Sequence, residues 1–418
     1  MPKNNRIAVT SEIGKLEAVL IHKPGSEVEN MTPESAKRAL YSDILNLEVA
    51  LKEYEQFKAV LDSVTKTYEV KSLLSDVLKD KLVKNSLLDE IFSEEDVFGE
   101  ENFIRGIPTK NLAIQLIEGV PMKKDNLTKF LTKERFSLPP LHNFFFMRDA
   151  SISIQNKILI GKMANKVRNR EALIMKAVFN HHPDFKTLTF DPSTSNGCSD
   201  NCTIEGGDIL IVRDDIMVIG IGARTTTQGI DYILKCLKQR KESRHIIVQE
   251  LPYSPESFIH LDMTFTMLDY DHCMVYEPLI LRPNKYQTVH ITIDNGKVVR
   301  INNVNNIPEI LKKLGIDLKP VLCGGENDRT IQEREQWHSG ANFFAFAPGK
   351  VIGYGRNNYT IEALNKNGFE VIKAKNIMRG TTHPDSYSKC VVTIEGSELA
   401  RGGGGARCMT MPVVRQAV

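Results

Sequence analysis

The 418-residue sequence lacks any apolar run approaching the roughly 20 residues that a membrane-spanning helix needs. Its opening stretch, MPKNNRIAVTSEIG, lacks the apolar core of a secretory leader, so a cytoplasmic location without a membrane partner is expected. A charge excess is missing too: 54 Lys and Arg stand against 52 Asp and Glu. That balance gives no field to steer a polyanion, and nucleic acid is not expected as a partner. Cysteine is sparse and odd in number, seven residues at 198, 202, 236, 273, 323, 390 and 408. This scatter argues against a disulfide framework and for reduced thiols. Cys198 and Cys202, in GCSDNC, have no further ligands at the spacing of a metal knuckle. They read as two loop thiols that would pair only under oxidation.

What is present is a globular composition, 41% hydrophobic and 25% charged, in a chain too long for one small core. One pattern recurs along it: two short apolar strands joined by a tight polar turn, an amphipathic helix, and a further strand. The clearest copy is DILIV (208–212), the turn Arg213-Asp214-Asp215, IMVIGIG (216–222), a helix over 226–240 and HIIVQEL (245–251). Ile230, Ile233, Leu234 and Leu237 give that helix an apolar face.

ASISI, Gln155-Asn156, KILIG, RNREALIMKAVF and TLTF form a second copy. DMTFTML, HCMVY and PEILKKLG form a third around a long insertion. NFFAFA, Pro348-Gly349, KVIGYG, TIEALNKNG and FEVIKA form another, and LEAVLIHK, a helix near 43–63 and TYEVKSL the first. CMTMPVV supplies a late strand to close onto that first copy. About five such units, each burying one face on a neighbour, predict an α/β fold of propeller-like, circular architecture. Residues 73–137 interrupt the rhythm with helical stretches and read as an insertion between a first module (1–72) and the remaining modules (138–418).

The most unusual segment is GGGGARCM (402–409). Four consecutive glycines cost backbone entropy and allow close approach by another backbone or a ligand. No Lys-Ser/Thr follows and no GxGxxG register is present, so a phosphate loop is excluded. Taken alone, Cys408 would be a small buried hydrophobe. Other residues change its reading. His260-Leu261-Asp262 opens an apolar run whose period-2 spacing puts imidazole and carboxylate on one face. In Thr203-Ile204-Glu205-Gly206-Gly207-Asp208 an acid precedes two glycines at a hairpin mouth, where Glu205 can project into a cavity and Asp208 fix the turn. Asp149 stands at a comparable mouth after Phe146-Met147-Arg148, with Arg148 read as a structural ion-pair partner.

Three acids, one thiol and one imidazole at converging strand mouths call for a planar cation. A guanidinium is permanently protonated, and carboxylates hold it bidentately. Its carbon is a poor electrophile, so covalent catalysis suits it: Cys408 attacks, His260 protonates the departing ammonia, and His260 then activates water. No metal or cofactor is required, and no cofactor motif appears.

The segments SEIGKLEAVLIHKPG, FMRD, KVRNRE, IEGGD, IGARTT, IHLD, REQWHSGAN, GYGRN and ARCMTMPVVR resemble the arginine deiminases of the guanidino-group-modifying superfamily over nearly the whole chain. The resemblance implies a five-module pseudosymmetric ββαβ propeller with a helical insertion, and L-arginine as substrate. It implies Cys408 as nucleophile, His260 as general acid and base, and Asp149, Asp262 and Glu205 around the guanidinium. It further implies Asn143, Arg168 and Arg224 as substrate-binding residues, the two arginines on the α-carboxylate, and a homo-oligomer. Met147, Ile259, Met263, Ser339 and Gly403 depart from the family pattern, yet none is a reacting group. Amidino transfer, deimination of another guanidino compound and a non-catalytic arginine-binding role remain open on these residues alone.

Overall fold

Alternating apolar runs separated by tight turns give hairpins, and the amphipathic helix after each hairpin carries the chain back to a parallel strand. The computed structural model describes residues 7–38, 41, 43–97, 99–194, 198, 201–238, 242–326 and 328–418. In the clearest unit Ile209–Arg213 and Ile216–Ile221 pair antiparallel. Helix Thr227–Leu237 follows, and Arg244–Glu250 returns parallel to Ile216–Ile221. The expected bounds agree within a residue or so, except that 239–240 of the expected helix lie outside the described residues. Thr226 caps this helix by accepting the Gly229 N–H, and Ile230, Ile233, Leu234 and Leu237 are buried beneath it.

The same combination of an antiparallel pair and a parallel return recurs in a mixed α/β fold. Ser151–Ile154, Lys157–Ile160 and Thr189–Phe190 form one such sheet. Phe265–Met267, His272–Val275 and Lys319–Leu322 form another. Leu16–Ile21 pairs parallel with Lys66–Glu69 and antiparallel with Met411–Arg415, so the last strand of the chain sits on the first. Two details depart from the expected units. FEVIKA does not lie beside KVIGYG, because Cys390–Ile394 inserts between Lys350–Tyr354 and Glu370–Lys373. The buried CVVTI run claims the central place, leaving the more exposed Glu370–Lys373 at the edge. The insertion before PEILKKLG is itself a hairpin, Thr288–Asp294 with Lys297–Val304, and it joins the neighbouring sheet through Arg244–Glu250. Cys198 and Cys202, expected as reduced thiols, are joined in a disulfide; only four positions separate them, so their Cα atoms lie 5.5 Å apart, within bridging range.

Between the first sheet and the next, helices Val70–Val77, Lys81–Glu94, Glu101–Gly106 and Thr109–Glu118 occupy the stretch read as helical. A buried polar network fixes them to the first sheet. His22 bridges Glu27 at 2.9 Å and Glu69 at 3.1 Å, while Lys71 pairs with Glu118 at 2.5 Å. Burial disfavours the His22 cation, but its hydrogen bonds and charges from Glu27 and Glu69 outweigh that and raise it to about 9. A histidine raised above its unfolded value of 6.5 stabilises the fold fully below pH 6.5, and the contribution is lost as pH rises through 9. His22→Gln should therefore melt several degrees below the parent at pH 6, and the gap should close by pH 9.5. A gap independent of pH in calorimetric melts would show that His22 is not held as a cation.

Candidate active site

Two glycine-bearing turns bring the acids and the histidine together. At Gly207 a Cβ would fall 2.6 Å from the His260 ring, so only glycine lets the imidazole lie across that backbone. The Gly206 N–H donates to the Asp149 carbonyl at 3.0 Å, joining the turn after Glu205 to the turn that carries Asp149. Residues 260–262 do not start a strand as the period-2 reading required. Leu261–Met263 is a single 3-10 turn, closed by Met263 N–H on the His260 carbonyl and by Leu261 N–H on Asp208 Oδ1 at 2.9 Å, and the strand begins only at Phe265. His260 and Asp262 consequently point apart, one toward Asp149 and Glu205, the other toward Cys408. Asp208 fixes a turn, as expected.

His260 Nε2 is 2.9 Å from Glu205 Oε2, and its Nδ1 is 3.6 Å from Asp149 Oδ1. Burial opposes the charge, yet Asp149, the Glu205 hydrogen bond and Asp208 raise His260 to about 9, so the imidazole is held protonated. Glu205, fully buried, is lowered to about 2: desolvation is overcome by the His260 hydrogen bond and by Arg224, His260 and Arg168. Its Oε1 also accepts the Ala164 N–H at 3.0 Å. Asp149, Glu205 and His260 have the donor types of a metal site. Arg168 at 2.8 Å from Asp149 and His260 at 2.9 Å from Glu205 already provide cationic partners for these two acids.

Cys408 is 4% exposed, and its Sγ lies 3.8 and 4.0 Å from the two Asp262 oxygens. Burial, then Asp262 and Asp149, push the thiol well above its ordinary range. Asp262 accepts a 2.8 Å ion pair from Arg407, whose Nε and Nη2 both reach Glu12 at 3.0 Å. Among the described residues Arg148 makes no ion pair within 4 Å, contrary to the expectation. It donates to the Arg407 carbonyl at 3.2 Å and to Thr410 Oγ1 at 3.0 Å, because Arg407 has taken the nearby carboxylates.

Arg168 Nη1 pairs with Asp149 at 2.8 Å, and its other nitrogens take both oxygens of Glu171 at 2.8–3.1 Å. Arg224 lies 3.7 Å from Glu205. Both guanidinium groups are thus directed at acids. Asn143, Asp149, Arg168, Arg224, His260 and Cys408 line one cleft with the Gly402–Gly404 backbone, and Glu205 and Asp262 stand behind it. The free space in it is ≈ 40 Å³. A wider cavity of ≈ 500 Å³ lined by Phe258, Tyr276, Leu279 and Trp337 carries neither a thiol nor a histidine. The structure therefore brings all eight sequence-derived residues together. Sequence reasoning missed Glu12, Glu171, Asn342 and Arg407 as members of the same cluster. All four lie inside the motif segments SEIG, KVRNRE, REQWHSGAN and ARCM, which was the available signal.

The arginine deiminase family model matches residues 37–415. The chain belongs to the arginine deiminase family. The arginine deiminase of Limosilactobacillus reuteri is 33% identical, covering 98% of each chain, and that of Oenococcus oeni 29% identical over 100% and 99%. Among solved structures, the amidinotransferase SxtG from Microseira wollei has a TM-score of 0.54 at 15% identity, covering 99% of this chain and 98% of its own. At that identity the likeness concerns the fold, while family membership rests on the sequence matches. For a deiminase-family site the Glu205–His260 pair is the readily measured element. Glu205→Gln should lower the His260 titration midpoint by at least about one unit, followed by histidine NMR. An unmoved midpoint would show that Glu205 does not hold the proton there.

Proposed function

We propose that this chain hydrolyses free L-arginine to L-citrulline and ammonia, with Cys408 as nucleophile and His260 as general acid and then general base. The observation that carries the reading is that a thiol and an imidazolium open on one cleft walled by carboxylates. In the free site the thiol is held neutral by burial and by Asp262 and Asp149. A substrate guanidinium between Asp149 and Asp262 changes that balance. At an effective dielectric near 20, a unit charge about 4 Å away contributes about 4 kcal/mol, roughly three pK units in favour of the thiolate.

The thiol proton leaves to solvent and Sγ adds to the guanidinium carbon. The C–N bond to one terminal nitrogen then breaks, its electron pair leaving with that nitrogen, and His260 donates the proton that makes it ammonia. The product is an S-alkylthiouronium on Cys408. Water adds to its carbon while the now neutral His260 takes a proton. Collapse breaks the C–S bond and returns thiolate to Cys408, while the hydroxyl proton passes to solvent and leaves the neutral ureido group of citrulline. Glu205 keeps the imidazole oriented through both halves. Asn143, Arg168 and Arg224 address the α-amino and α-carboxylate end, which requires Arg168 to share its charge between Asp149 and the substrate.

The proposal extends to architecture and location. The five like-patterned sheets are read as a pseudosymmetric ring around the cleft, with 1–72 as first module, 73–137 as helical insertion and 138–418 as the rest, in a cytoplasmic protein.

Purified protein given arginine should release citrulline, and Cys408→Ala should lose at least about a thousandfold in kcat. Acid quench should trap a mass on Cys408 equal to arginine less ammonia. Absence of citrulline, or full activity in the alanine variant, defeats the proposal. Arg224→Ala should raise KM for arginine about tenfold or more and leave any slow turnover of agmatine unchanged, since agmatine has no carboxylate to lose. Equal effects on both substrates would remove Arg224 from carboxylate recognition.

A further inference from the structure

Asn342 follows the turn after helix Arg329–Trp337 and is 1% exposed. Its Oδ1 accepts the main-chain N–H of Arg407 at 2.9 Å and that of Cys408 at 3.3 Å. With two donors on the oxygen, the amide cannot be turned over without setting N–H against N–H. Its NH2 group therefore faces the Cys408 sulfur at 3.2 Å and the Asp262 carbonyl at 3.1 Å. The glycine-rich loop is shaped around this side chain: a Cβ at Gly405 would fall 2.7 Å from both Cβ and Oδ1 of Asn342. The last glycine before Ala406-Arg407-Cys408 is thus the space that Asn342 needs in order to reach the sulfur.

We propose that Asn342 is a further catalytic residue, whose side-chain N–H donates to Cys408 Sγ and stabilises the thiolate as it forms and again as it departs from the thiouronium carbon. This deepens the deiminase reading and rests on it for the identity of the reaction. The contact is weak to a neutral thiol and strengthens when the sulfur carries charge, which places its effect on the ionised and reacting state. The surrounding charges, on balance against a thiolate, give such a donor its effect. Asp262 and Asp149 oppose a thiolate, the Tyr354 phenol faces it as a neutral group, and the Arg407 guanidinium is committed to Asp262 and Glu12. On the favourable side stand the Gly405 backbone amide, the Arg407 charge that Asp262 and Glu12 share, and Asn342, whose N–H points at the sulfur itself.

The test is the pH dependence of Cys408 alkylation by iodoacetamide, read by peptide mass, together with kcat and KM for arginine. Two variants are compared with the parent. Asn342→Asp keeps an acceptor for the two main-chain amides but has no donor; Asn342→Ser is smaller and adds no charge. The proposal expects the alkylation midpoint to rise by at least about one unit in both, with kcat reduced about tenfold or more and KM changed much less. Unchanged alkylation midpoints in folded variants would overturn it. So would unfolding of both variants in thermal melts, which would assign the amide to the scaffold. Because alkylation reports on the sulfur whether or not arginine is turned over, a parent protein that releases no citrulline would defeat the deiminase reading while this contact is still judged on its own result.

Discussion

The site depends on one buried guanidinium. Arg407, 1% exposed, spans Glu12 from the N-terminal segment and Asp262 from the 3-10 turn after His260, and donates to the carbonyls of Gly207 and Ile209. Its main chain leads directly into Cys408. Removing such a charge from water costs several kcal/mol, so the arrangement persists only because nearly every N–H of the fork finds an acceptor. That requirement draws residues 12, 207, 209 and 262, far apart in sequence, to one point beside the thiol. The same guanidinium and Arg168, which Asp149 and Glu171 hold, divide the carboxylates into two groups, one behind the sulfur and one behind the imidazole.

This division explains why two groups with ordinary values only two or three units apart are driven in the same direction here. His260 is raised to about 9 by acids around its ring, and Cys408 is raised by burial and by the acids behind it. For the reaction proposed above, an imidazolium and a neutral thiol are a poor attacking pair but a well-prepared one, since the proton for the leaving ammonia is already in place. The guanidinium that favours the thiolate, Arg407, is shared with Asp262 and Glu12. On the proposed reading a cationic substrate adds the further positive charge that the sulfur needs.

Local patterning made much of the fold legible. The turn Arg213-Asp214-Asp215 and the Ile230/Ile233/Leu234/Leu237 face each have one structural solution, and the structure adopts it. The placement of Cys390–Ile394 inside its sheet was not legible, because parallel strand order is decided by burial across long separations rather than by local signals. At the site, the reacting residues were found through motifs, whereas their supports were not. Asn342 and Arg407 look like ordinary loop polar residues, and only the three-dimensional pairing of Oδ1 with two main-chain amides reveals what the asparagine is for. Period-2 reasoning failed at 260–262 because a 3-10 turn replaced the expected strand, and that turn sends His260 toward Asp149 and Glu205 and Asp262 toward Cys408.

The cleft's own cations are already paired within the fold. Arg168 satisfies its buried charge on both Asp149 and Glu171. On the proposed reading, a substrate guanidinium on Asp149 leaves Arg168 anchored by Glu171 and free to share its charge with the substrate carboxylate. Because Glu171 takes two of its nitrogens, Arg168 stays compensated even when Asp149 turns to another cation. In the proposed reaction, selection for the free amino acid therefore rests on the charge that Arg168 and Arg224 can offer a substrate carboxylate.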